Sequence, residues 1–176
     1  SLFDKFQLLH VLVVLAGLYV LFRLYARDEV ALIVALTVGL SGVVYQHIDM
    51  VHFRSFAWMP LGLAAAVRIA RGEGRTLDAV VFVATRVCAI TAGALQGAFV
   101  TSLAIGAVFL IELWRSPDAA KSRARRLLDF ALLAVASTCI ALPSVLPYLA
   151  ARANGDLFTQ AMPDRSVTPL DGEFHI

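Results

Sequence analysis

Residues 45–60, YQHIDMVHFRSFAWMP, decide how this chain is read. They form its densest polar and aromatic island, with His47, Asp49, His52, Arg54, Trp58 and Pro60 set between two long apolar runs. If those runs are membrane-spanning helices, the island must sit at a membrane face or line a polar cavity, because hydrocarbon leaves polar groups unsatisfied.

Composition agrees with that setting. Hydrophobic residues make up 60% of the 176-residue chain and charged residues 16%, with a mean hydropathy of +0.79. Soluble domains lie nearer one half and about a quarter. The apolar blocks are roughly 17–23 residues long, the length of helix that crosses about 30 Å of hydrocarbon. A barrel would show short alternating segments. The expected fold class is therefore all-α, a polytopic transmembrane helix bundle of about six spans. The spans are read at 6–25, 30–46, 56–70, 77–96, 98–114 and 127–149. Residues 1–153 form the bundle, and 154–176 an extracytoplasmic tail or loop carrying Pro163 and Pro169.

Charge supports this alternation of spans. Arg23 and Arg27, then Arg68, Arg71 and Arg75, then Arg115, Lys121, Arg123, Arg125 and Arg126 account for ten of the fifteen basic residues. In a six-span chain all three groups fall on one side, which the positive-inside rule makes cytoplasmic. Both termini and the island then face outward. The formal charge of +2 has this topological explanation and points to no nucleic-acid partner. The chain opens at Ser1 without a basic region before its first apolar run, which is unlike a cleavable signal peptide and suggests an internal piece of a longer protein.

Local features refine the spans. The third is short and carries Pro60 near its start, with Trp58 suited to an interfacial belt. TAGALQGA at 91–98, then Ser102, Ala104, Gly106 and Ala107, suggest a tight helical hairpin turning near Gly97. Pro143 and Pro147 suggest a kinked outer end of the sixth span. Cys88 and Cys139 fall inside apolar runs and read as small buried side chains rather than a disulfide or a metal pair.

Arg86, within the fourth span, needs a partner there. With a turn at Gly97, Arg86 and Glu112 differ in depth by about four residues, or roughly 6 Å, which long side chains can bridge. Either a structural ion pair or an anionic headgroup or substrate site satisfies this pattern. His47 and His52 lie about 140° apart on a helix and do not share a face, which argues against a helical zinc site. His10, which begins the first span, and His47, which follows the second on the same outer side, suit either a haem held between facing helices or simple hydrogen bonding at the interface. Asp49, or Asp156 on a later outer loop, can act as a general base or hold a divalent cation. Arg54 beside the aromatic interface suits either a phosphate or an interfacial anchor.

The order of LYVLFRLYARDE, LSGVVYQHIDMVHF, AWMPL and RIARGEGR, followed by GALQGAFVTSLAIGAVFLIELW and ALPSVLPYL, resembles bacterial multi-spanning proteins of the YfhO-like type and the related GT-C glycosyltransferases. The resemblance implies an enzyme of the bacterial inner membrane that takes a sugar from a polyprenyl-phosphate lipid and transfers it to an extracytoplasmic acceptor. The family's catalytic acid lies in a first outer loop, which would precede Ser1, so no catalytic residue carries over. His47, Asp49, His52 and Arg54 would border the outer cavity as substrate-binding residues, with Arg86 facing it from below. Two alternatives stay open: a non-catalytic membrane subunit of a larger complex, and a transporter using Arg86 and Glu112.

Overall fold

The computed structural model describes residues 2–41, 51–92, 95–117 and 120–153. Among these the chain is all-helical: α1 Leu2–Phe22, α2 Asp28–Gly39, α3 Val51–Ala57, α4 Met59–Arg71, α5 Thr76–Thr91, α6 Leu95–Arg115 and α7 Ala120–Ala153. The chain divides at Pro143 into two units, 1–142 and 143–176. The described part of the second is the end of α7, where Pro143 and Pro147 stand inside the helix.

The centre of the first unit is α4, which packs on α1, α5 and α6. Its sequence MPLGLAAAVRIAR buries Pro60, Gly62, Ala64, Ala65, Ala66, Val67 and Ala70. These side chains are small, so neighbouring backbones can come close. A Cβ built on Gly17 of α1 would lie 3.0 Å from the backbone nitrogen of Leu61, so that crossing requires glycine. Helix α2 meets α1 through a similar stripe, Ala31, Ala35 and Gly39, spaced four residues apart and so on one face.

Around α4 the core is aromatic and branched. Phe82 of α5 and Ile105 and Phe109 of α6 are fully buried against Ala65, Ala66 and Ala70. Phe130 of α7 stacks on Phe109, with centroids 3.9 Å apart and planes 14° from parallel. It also tilts against Phe82 at 5.1 Å. The third expected span is split at Trp58 into α3 and α4. Pro60 in the first turn of α4 has no N–H to give the carbonyl four residues back, so the helix cannot continue unbroken from α3.

Only two of the described helices, rather than six, are long and apolar enough to cross a membrane: Leu95–Arg115 and Ser122–Pro147. The apolar part of α1 runs Leu8–Phe22, about 22 Å at 1.5 Å per residue. The 12 residues of α2 reach about 18 Å. Helix α5 has 16 residues and includes both Asp78 and Arg86. The hairpin between α5 and α6 also differs from expectation. Helix α5 ends at Thr91 and α6 begins at Leu95, so Gly97 is a buried residue within α6 and not the turn.

Candidate functional site

Hydrogen bonds from Arg71 and Arg126 join the three basic turns. There the Arg71 guanidinium, on the last turn of α4, donates from Nε to Glu112 Oε2 at 2.9 Å and from Nη1 to Leu24 O at 3.1 Å. The Tyr25 hydroxyl, past the end of α1, donates to Glu112 Oε1 at 2.9 Å. Arg71 also lies 4.7 Å from the Tyr25 ring centroid, within cation–π range. Arg115 is a distant third partner, 3.9 Å from Glu112 Oε1. Glu112 is buried, and both carboxylate oxygens are engaged, as a buried charge requires. The hydrogen bond to Glu112 holds the Arg71 guanidinium above its ordinary pKa, against the opposing effect of burial. Burial first, then Glu112, pushes the Tyr25 phenol up.

A second cluster starts where α4 ends. Gly72 takes the left-handed conformation, φ 77°, and its N–H bonds Ile69 O, while the Glu73 N–H reaches back to Arg68 O. This is the usual glycine stop of a helix. Asp78 in the first turn of α5 accepts the Arg75 backbone N–H at 2.8 Å and Arg68 Nη1 at 3.2 Å. Arg126 of α7 donates from Nη1 to Ala70 O at 2.8 Å and to Ser116 Oγ at 3.1 Å. Beside these groups a cleft of about 770 Å³ opens between the 72–76 turn, α5 and α7. Arg75, Arg125, Arg126 and Asp129 line it above Ile69, Leu132 and Leu133.

Arg86 belongs to neither cluster. Its Nε donates to Ser137 Oγ of α7 at 2.9 Å, and the Ser137 hydroxyl in turn donates to Ala134 O at 2.8 Å. Among the described residues no carboxylate lies within ion-pair distance of Arg86. The expected pairing with Glu112 fails because the α5–α6 turn comes several residues before Gly97. Arg86 is then about 18 Å from Glu112 in depth instead of roughly 6 Å.

Of the other candidate residues, His47 and Asp49 lie outside the described residues, as do Asp156 and the side chain of His52, whose backbone belongs to α3. Arg54 is half-buried in the last turn of α3. The neighbouring Ser55 is fully buried and donates to Ala89 O of α5 at 2.9 Å. So α5 meets α3 through Ser55 and α7 through Arg86, and neither Arg54 nor Arg86 lines the basic cleft. His10 meets the Trp58 ring edge to face, with centroids 6.2 Å apart. Among the described residues no group of three His, Cys, Asp or Glu side chains could hold a metal ion. Both cysteines are free thiols, and Cys139 is exposed on α7 rather than buried. The Arg71–Glu112–Tyr25 junction was not anticipated from sequence, although its arginine and glutamate were visible at helix ends.

No protein-family model matches the sequence, and no curated protein or solved structure matches the chain.

Proposed function

We propose that this chain is a membrane-embedded helical bundle, and that its role is to build and hold a lipid-facing scaffold rather than to perform chemistry among the described residues. The observation that carries this reading is the contrast between the ends and the sides of the bundle. Charged groups gather at one end, while α6 and α7 present long apolar faces: Phe99, Leu103, Leu110 and Ile111 on one, Leu128, Leu132, Val135 and Ile140 on the other, all exposed. Only 11% of the apolar window of α7 is buried. Lipid satisfies such faces, whereas water does not.

The finer reading is a polytopic bundle with the three basic turns toward the cytoplasm of a bacterial inner membrane. Supporting it is the joining of those turns by Arg71, Tyr25 and Arg126. Within that frame the chain acts as a segment of a GT-C-like glycosyltransferase working on polyprenyl-phosphate-linked sugars, supported by the sequence resemblance alone. The second reading is a non-catalytic membrane subunit, favoured by the ordinary structural partners of every buried charge described above. The transporter reading loses its main observation, because Arg86 and Glu112 do not share a path.

The exposed thiol of Cys139 tests the embedding. In sealed vesicles a membrane-impermeant maleimide is expected to leave Cys139 unmodified, and to label it once detergent is added. Full labelling in intact vesicles, or release of the chain by alkaline wash, would sink the reading. Sugar transfer by the chain alone, abolished by a substitution among the described residues, would sink the scaffold role.

A further inference from the structure

We propose that the cleft and groove between α5 and α7 hold one anionic glycerophospholipid from the leaflet on the basic side, with its phosphate at Arg75, Arg125 and Arg126. The inference rests on the membrane reading above and adds a specific ligand to it.

Three arginines and one aspartate are among the residues that line the cleft already described, a surplus of positive charge. Arg126 is fixed there by its bonds to Ala70 O and Ser116 Oγ, so a guanidinium is held in place before any ligand arrives. The floor of the cleft is apolar and continues into a second groove of about 530 Å³. That groove is lined by Val80, Val83, Ala84, Val87 and Cys88 of α5 and by Leu133 and Ile140 of α7. Thr76, Ala79 and Leu133 belong to both, so cleft and groove are one continuous feature.

Its dimensions suit a lipid. From Thr76 to Cys88 the groove follows α5 for about 18 Å, close to the roughly 15 Å depth of one leaflet. Small side chains leave the space: Gly74, Ala79 and Ala84 on one wall and Ala136 on the other. Phe130, wedged between Phe82 and Phe109, and Arg86, reaching Ser137, bridge α7 to its neighbours like spacers. A free phosphate would use only the mouth, and a neutral lipid only the groove. A phosphate carrying an acyl chain uses both, in the manner of basic pockets between helices that take anionic headgroups.

Native mass spectrometry of the chain, released from vesicles of equal parts phosphatidylglycerol and phosphatidylcholine, tests this. Wild type is expected to keep one phosphatidylglycerol in preference to phosphatidylcholine. The double variant R75E/R125E is expected to lose that adduct at least about tenfold, each basic side chain near the headgroup layer being worth roughly fivefold. R23E, in a different basic turn, is expected to keep it. Ala84 is exposed, and Ala84→Trp fills the apolar half without touching a charge; it is expected to lose the adduct too, which keeps the test open should the double variant fail to fold. Equal retention of the two lipids, an unchanged adduct in Ala84→Trp, or displacement of phosphatidylglycerol by an equimolar polyprenyl phosphate would overturn the proposal. Alkaline extraction of the same vesicles separates the two readings: a chain that stays in the membrane but shows no lipid preference refutes the groove alone.

Discussion

Arg71 Nε and Glu112 Oε2, 2.9 Å apart, tie the end of α4 to the end of α6. The other Glu112 oxygen takes the Tyr25 hydroxyl, so a single carboxylate gathers the ends of two helices and the turn after α1. The Arg71 side chain is 26% exposed and that of Glu112 only 8%. Removing the cation therefore strands a mostly buried anion. Arg71→Met is expected to cost about 3 kcal/mol in detergent, as for breaking a buried pair. With Glu112→Gln it should couple by more than about 1 kcal/mol in a double-mutant cycle. Additive losses would remove the pair as a stabilising unit.

Arg86 predicts the opposite sign. Its partners are the Ser137 hydroxyl and the Phe82 ring, 5.9 Å from the guanidinium carbon. On the proposed membrane reading, about 1 kcal/mol net for the hydrogen bond and about 0.5–1 kcal/mol for the ring contact fall short of the roughly 2.5–3.5 kcal/mol cost of a charge in a membrane helix. Arg86→Met is therefore expected to leave thermal stability unchanged or raise it. Ser137→Ala keeps the charge and deletes its acceptor, so it is expected to lower stability. A loss in Arg86→Met as large as that in Arg71→Met would show that the guanidinium has an anionic partner.

Gly72 combines two constraints. Its φ of 77° is one that a side chain resists, and an added Cβ would lie 2.5 Å from Arg126 Nη2. Gly72→Ala is expected to cost about 1–2 kcal/mol for the left-handed backbone alone. A further loss comes from pushing Arg126 off Ala70 O. Thermal unfolding of Gly72→Ala in an Arg126→Ala background should show the smaller, backbone cost only. An equal cost in both backgrounds would mean that Arg126 yields freely.

Tyr25 sets a pH limit. Its phenol pKa is raised above the ordinary 10.0 by burial and by Glu112, so the folded chain holds this proton more tightly than the unfolded chain. The stabilisation is complete below about pH 10 and is lost as pH rises through the folded value. Tyrosinate absorbance is expected to show one tyrosine titrating late in wild type and earlier in Glu112→Gln. Identical curves would separate the phenol from the carboxylate.

Much of this arrangement was legible in the sequence, though unevenly. Helical content and the clustering of arginine at alternate turns follow from hydropathy and charge, which are local. Partners depend on register, which is not. A turn placed at Gly97 instead of before Leu95 moved Arg86 and Glu112 into false proximity. Alanine and glycine carry little hydropathic signal, so GLAAAVRIA did not stand out as the central helix. The small residues at 91–98 suit a close helical hairpin wherever its turn falls, so they do not fix the turn's position. Trp58 and Pro60 fit the start of a third span in the sequence, but the helix breaks there and a separate α3 precedes it.

The composition of α4 has a consequence for how the protein can change. Gly62, Ala64, Ala65, Ala66 and Ala70 are all buried and are already near the smallest side chains available. Random substitution at these positions can hardly remove volume and can only add it, and a Cβ on Gly62 would meet Ile105 Cδ1 at 2.8 Å. Tolerance along this helix is therefore one-sided. The periphery, α7 above all, can drift among Leu, Ile and Val with little effect, while the middle of the bundle is held by a ceiling on size and not by any particular chemistry.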